Sequence, residues 1–159
     1  MLKLNKTDMA ILRALQKDAR QSNEEVGRGA GVKRDGSVVS RRVAELVKAR
    51  IITGMHAAID PAKLGLVTTV YTLVTLKAHT PDLTDPFERE LEAMPNVIEW
   101  SRISGSWDYL VKFLVKDTPQ HDRLHAQLLR LPMVSRLRGM HGKGQPFVKP
   151  VPLENDGQG

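Results

Sequence analysis

The 159-residue sequence contains no cysteine. That removes disulfides, thiolate nucleophiles and Cys-ligated zinc, and it fits a cytoplasmic setting. No apolar run approaches the roughly 20 residues a membrane helix needs. The opening MLKLNKTDMAILRALQKDAR carries charges inside its apolar pattern, unlike a secretory signal. No Gly-rich phosphate loop, Ser/His/Asp set or dinucleotide fingerprint is found. These absences leave neither an enzyme motif nor a cofactor motif, so neither enzymatic activity nor a cofactor is expected.

What is present is an uneven charge. The net +6 lies wholly in the first 66 residues, where 13 Lys and Arg face 7 Asp and Glu. The remainder holds 11 of each sign. Such asymmetry points to a polyanion-binding module joined to a neutral one.

Within the basic part, Asp35–Arg50 reads as an amphipathic helix capped by Asp35 or Ser37. Val39, Val43, Leu46 and Val47 form one apolar stripe at helical spacing, while Ser37, Arg41, Ala44 and Lys48 point the opposite way. A helix in the major groove can present Arg to a guanine edge in this manner. Taken alone, the same pattern describes a basic solvated helix face. Two helices precede it. The first is capped by Asn5 or Thr7, carries Ile11, Leu12 and Leu15 on one stripe and ends near Asp18–Arg20. The second opens on the capping box Ser22–Glu25 and closes at Ala30–Val32, with Gly31 free to turn left-handed. Three helices with a tight final turn make a helix-turn-helix unit.

Residues 52–59 read as a short strand leaving this unit, and Asp60–Gly65 as a Pro/Gly turn. Beyond it, 67–77 is β-branched and reads as a strand, followed by a helix over 82–94 with Pro86 in its first turn. Strands over 97–104 and 109–116, a helix over 119–131 and a strand over 134–141 complete a ferredoxin-like βαββαβ order. The expected fold is therefore α+β: a winged-helix-like helix-turn-helix domain (1–60), a linker (61–66), a βαββαβ domain (67–145) and an extended tail (146–159), frayed after Leu153.

The residues also resemble a known family. Leu4, Asp8, Ile11, Leu12, Leu15, Gln16, Asp18, Ala19, Arg20 and Ser22 match in register the opening of the Lrp/AsnC transcriptional regulators. Ser40-Arg41-Arg42-Val43 resembles their recognition-helix core, and Ile51-Ile52 with Gly54 its exit. The linker Asp60–Gly65 is similar to theirs, as is the loop Ser104-Gly105-Ser106-Trp107-Asp108-Tyr109-Leu110. Two departures stand out. Lys33 and Arg34 read as a two-residue insertion in the turn, and Gly139–Gly144 replaces a less flexible strand end.

The resemblance implies a DNA-binding regulator that forms dimers, and from them tetramers or octamers, with a small amino-acid effector bound between subunits. Arg41, Ser37 and Ser40 are expected on bases, and Lys33, Arg34, Arg42 and Lys48 on phosphate. The effector is expected against Ser104, Gly105, Ser106, Trp107 and Asp108, with Met140 and His141 shaping the pocket. Asp108 would meet an ammonium, and the amides of Gly105 and Ser106 a carboxylate. Read without the family, the same loop is a hairpin turn whose Trp107 and Tyr109 pack as core.

His121 and His125 have metal spacing on one helix, but Asp122 stands where a zinc protease needs Glu, and no third ligand is evident. No metal is expected. Glu88, Glu90 and Glu92 read as a solvated face. The alternative is a sirohaem-decarboxylase-like enzyme of similar architecture. Such enzymes carry a His-Asn-Tyr run where this chain reads Glu99-Trp100-Ser101, which argues against that activity.

Overall fold

Three helices are set by their ends. In α1 (Lys6–Lys17) Asn5 accepts from the Asp8 amide while the Asp8 carboxylate accepts from the Asn5 amide, a reciprocal capping box. In α2 (Asn23–Gly29) Ser22 and Glu25 do the same. The third, α3 (Gly36–Lys48), closes in a Schellman motif: the Arg50 amide bonds to Val47 and the Ile51 amide to Leu46. Arg50 takes the left-handed conformation there, at φ 57°, a position glycine usually fills. The computed structural model describes residues 2–31, 36–144 and 148–153. The expected cap Asp35 and the inserted Lys33 and Arg34 lie outside the described residues.

The helices bury Ile11, Leu12, Val26, Val39 and Leu46, with Val43, Ile51 and Ile52 packed around them. Val47 departs from the expected stripe and is 49% exposed. One turn beyond Val43, it has rotated past the edge of the packed face.

The segment over 53–60 forms no strand. Extended backbone becomes a strand only through a hydrogen-bonded neighbour, and none is provided among the described residues. The helical unit therefore has no wing there. Asp60 caps a 3₁₀ turn, Pro61–Leu64, that closes on left-handed Gly65.

The second unit comprises β1 (Thr68–Leu76), α4 (Pro81–Ala93), β2 (Val97–Arg102), β3 (Tyr109–Val115), α5 (Thr118–Leu129) and β4 (Val134–His141). Its sheet is antiparallel in the order β2-β3-β1-β4. The expected βαββαβ order is thus observed. Pro86 lies deeper in α4 than expected, because the helix begins at Pro81; Pro81 is the proline that occupies the first turn.

Alternation along the strands divides the sheet into two faces. Val70, Val74, Val111, Phe113 and Tyr109 are buried with Phe87 and Leu91 of α4 and Leu128 of α5. The other face carries half-buried Tyr71, Leu73, Leu110 and Leu114, and no helix of this unit covers it. By backbone contacts the chain divides at residues 58 and 59, and residues Val148–Leu153 return to the helical unit.

Candidate functional site

The outward face of α3 is the first candidate. Ser37, Ser40, Arg41 and Lys48 are all exposed, while Val39 and Leu46 on the same helix are buried. The structure therefore places four of the expected DNA contacts on solvent-facing positions of one helix.

Arg42 is placed differently. It follows Val39 by three residues and precedes Leu46 by four, so it sits on the packing face. Its Nε donates to Asp8 Oδ1 at 2.5 Å and its Nη2 to Asp8 Oδ2 at 2.6 Å. Its Nη1 bonds to Glu45. Asp8 is fully buried. The Arg42 guanidinium holds the Asp8 carboxyl below the usual aspartate range, with help from the Asn5 amide, and Asp8 in turn raises the guanidinium's own pKa. A phosphate contact was expected of Arg42, but its hydrogen-bonding edge is directed into the module, where it ties α3 to α1.

The second candidate is the loop between β2 and β3. Gly105 makes its turn at φ 109°, a conformation that side-chain-bearing residues rarely adopt. Ser104, Gly105 and Ser106 are exposed and Trp107 is half-buried. Asp108 was expected to meet a ligand ammonium. Its Oδ2 instead accepts from the Leu76 amide at 2.7 Å, and its Oδ1 lies 3.4 Å from His79 Nε2. The carboxylate thus anchors the loop to the end of β1.

Arg136, which sequence reasoning missed, joins this loop. Its guanidinium lies 4.1 Å from the Trp107 ring centroid and donates to the Ser106 carbonyl at 2.9 Å. The only local signal was its place in an alternating strand. What makes it part of the loop is a contact across 30 residues.

Met140 and His141 do not reach the loop within one chain. Arg136 pairs with Thr75, while Met140 pairs with Tyr71 four residues away, about 13 Å along the strand. Met140 and His141 also point to opposite faces. A pocket that uses the loop and these two residues together needs a second copy of the chain.

Two further clusters hold the frame. The Tyr109 hydroxyl donates to Glu88 at 2.8 Å, and Arg102 pairs with the same carboxylate at 2.5 Å. Burial, followed by the neighbouring Glu88, pushes the Tyr109 phenol up to about 12. Arg102 holds Glu88 below its ordinary range. Glu88 is thus no solvated residue, because the helix turns it toward the sheet. His121 sits with ring centroids 5.8 Å from His125 and 5.2 Å from His141. Among the described residues, no group of three or more His, Asp or Glu is placed to hold a metal ion.

Both candidates lie in segments that match known families. Residues 4–47 match the AsnC-type helix-turn-helix domain, and residues 69–140 match the Lrp/AsnC ligand binding domain. The chain is 31% identical over 157 residues to a glutamate uptake regulatory protein of Zymomonas mobilis, covering 97% of this chain and 94% of that one. It is 32% identical over 136 residues to the leucine-responsive regulatory protein of Escherichia coli, covering 85% and 82%. In fold it is similar to a Neisseria meningitidis transcriptional regulator solved with L-Met, with a TM-score of 0.86, 23% identity, and coverage of 95% and 97%. The basic helix-turn-helix unit, the βαββαβ sheet and the loop before Tyr109 therefore belong together: the chain is a member of the Lrp/AsnC family, a transcriptional regulator rather than an enzyme.

Proposed function

We propose that this regulator reads a two-fold-related DNA site through the outward face of α3, as a homodimer or a larger assembly of dimers. The observation that carries the reading is the division of labour along that helix: Ser37, Ser40, Arg41 and Lys48 are exposed where Arg42 is turned inward. Arg41 with Ser37 and Ser40 contacts bases, while Lys48, Lys33 and Arg34 contact phosphate. Arg42 is assigned to holding the helix. Self-association uses the open face of the sheet, where Leu73, Leu110, Leu114 and Tyr71 stay half-exposed in a single chain. A dimer of this kind places two recognition helices on successive major grooves.

The effector is a small amino acid bound at Ser104–Asp108, with backbone amides at Gly105 and Ser106 and the Arg136 guanidinium toward its carboxylate. Met140 and His141 enter the pocket from a neighbouring subunit. The relatives support this class, being named for glutamate uptake and leucine response, and the Neisseria regulator was solved with L-Met. A regulator of this kind acts where the chromosome is, in the cytoplasm. Among the described residues no helix is long and apolar enough to cross a membrane.

Selection of bound genomic fragments, with and without each amino acid, tests the reading. The fragments should share a two-fold-related motif. Arg41→Ala should weaken binding to that motif by about 1–3 kcal/mol and blur its sequence. Equal loss on unrelated DNA would remove Arg41 from base reading.

A further inference from the structure

The helical unit holds a groove that the regulator's DNA reading does not use, and the chain's own C-terminal segment forms one of its walls. The groove has a volume of about 360 Å³ and is lined by Leu12, Leu15, Ala19, Ile51, Ile52 and Met55. None of the residues assigned to DNA is among its walls. Leu153 packs against the buried core of the unit, whereas Val151, 71% exposed, only edges the groove. The Arg13 guanidinium donates to the Leu153 carbonyl at 2.9 Å, and the Gln16 amide to the Val151 carbonyl at 3.0 Å.

This contact has the marks of a fitted ligand. Arg13 and Gln16 are three apart on α1 and so share one helix face. Val151 and Leu153 are two apart, and their carbonyls meet the two donors in reverse order along α1. The segment therefore runs antiparallel to α1, its acceptors in step with the helix's donors. Pro150 and Pro152 flank Val151. They favour the extended form before docking. Proline-rich segments dock in apolar grooves elsewhere for the same reason: little conformational freedom is lost.

We infer that residues Val148–Leu153 are a clasp, and that the groove beside α1 is its receptor, giving the sheet unit a second connection to the DNA-binding unit. The first connection is the chain at residues 58 and 59, and the second leaves β4 after His141 and returns at Val148. The first contact of the segment with α1 is at Val151, ten residues beyond His141, and ten peptide steps span at most about 36 Å. A docked clasp therefore shortens the tether between β4 and α1 to that length. With the clasp released, the DNA-binding unit hangs on one tether. In a dimer the clasp would restrict the distance between recognition helices, and hence the spacing of half-sites the dimer accepts.

This role rests on the proposed DNA reading, and its test separates the two. The intact chain, a chain ended after Gly144 and the full-length Leu153→Asp variant are compared on a single half-site and on paired half-sites of graded spacing. Both variants should bind the single half-site as the intact chain does. They should lose the preference among spacings by about tenfold, because a slack tether lowers effective concentration at the favoured spacing. Retention of the intact chain's preference by both variants would overturn the clasp. If the intact chain binds no half-site, the DNA reading fails, and the clasp is judged by a second measurement. A labelled peptide of residues 148–153 should bind the chain ended after Gly144, and the peptide carrying Leu153→Asp should not. Absence of binding by the unaltered peptide at millimolar concentration would overturn the clasp independently of DNA.

Discussion

The two units solve the same stability problem with different means. The sheet unit buries thirteen apolar side chains in one cluster among the described residues, including Phe87, Tyr109 and Phe113. Among its described residues the helical unit buries five, none aromatic. A core that small supplies little hydrophobic free energy against the entropy of ordering the chain. The helical unit adds two capping boxes, a Schellman end and a buried ion pair. The contrast teaches that one unit should be sensitive to side-chain volume and the other to polar geometry.

Four substitutions can break or sharpen this contrast, in falling order of effect. Phe87→Ala empties the centre of the sheet unit and should cost about 4 kcal/mol, read as a lowered unfolding transition of that unit alone. Asp8→Asn leaves the Arg42 guanidinium beside a neutral amide and should destabilise the helical unit by about 3 kcal/mol. The same pair gives a pH signature. Asp8 has its carboxyl held low by Arg42, so its contribution is complete above the ordinary aspartate range and is lost as pH falls through the depressed value. Acid unfolding of the helical unit should therefore shift toward higher pH in Asp8→Asn, as measured by circular dichroism during titration. If the two variants lower the same single transition equally, the units unfold as one and the contrast fails.

Smaller effects sharpen it. Ser22→Ala removes the cap of α2 and should cost about 1 kcal/mol in urea unfolding. Arg50→Gly relieves the left-handed backbone after α3 and should stabilise the unit by about 0.5 kcal/mol. No change in Arg50→Gly would mean that the Arg50 side chain makes a compensating contribution.

What could be read from the sequence follows the range of each interaction. The capping box Ser22–Glu25 was legible because its residues lie three apart, whereas at the first helix Asn5 and Thr7 both offered a cap and the Asn5–Asp8 box went unread. The strands were legible from β-branched runs, and their order as βαββαβ. Arg42 was misplaced, although the signal was present: it shares a face with Val39 and Leu46, and a cation on a packing face calls for an anion. Asp8 entered through the family resemblance and not as half of an ion pair, because its partner lies 34 residues away. The strand expected over 52–59 failed because extended propensity cannot reveal whether a neighbour exists. Arg136 at the loop, Glu88 under Tyr109 and the tail on α1 all depend on contacts that only the folded chain creates.

The two carboxylate oxygens of Asp8 accept from the Asn5 amide and from two nitrogens of Arg42. A helix N-terminus ordinarily frays, since its first turn holds few bonds and opens without disturbing the rest. Here the group that closes the first turn of α1 is also the group that docks α3. Fraying at Asn5 would take a hydrogen bond from the buried Asp8 carboxylate that holds the half-buried Arg42, so the first turn cannot open cheaply by itself. A local event has been made to carry a global penalty, and the beginning of the first helix becomes part of the cooperative unit that positions the last.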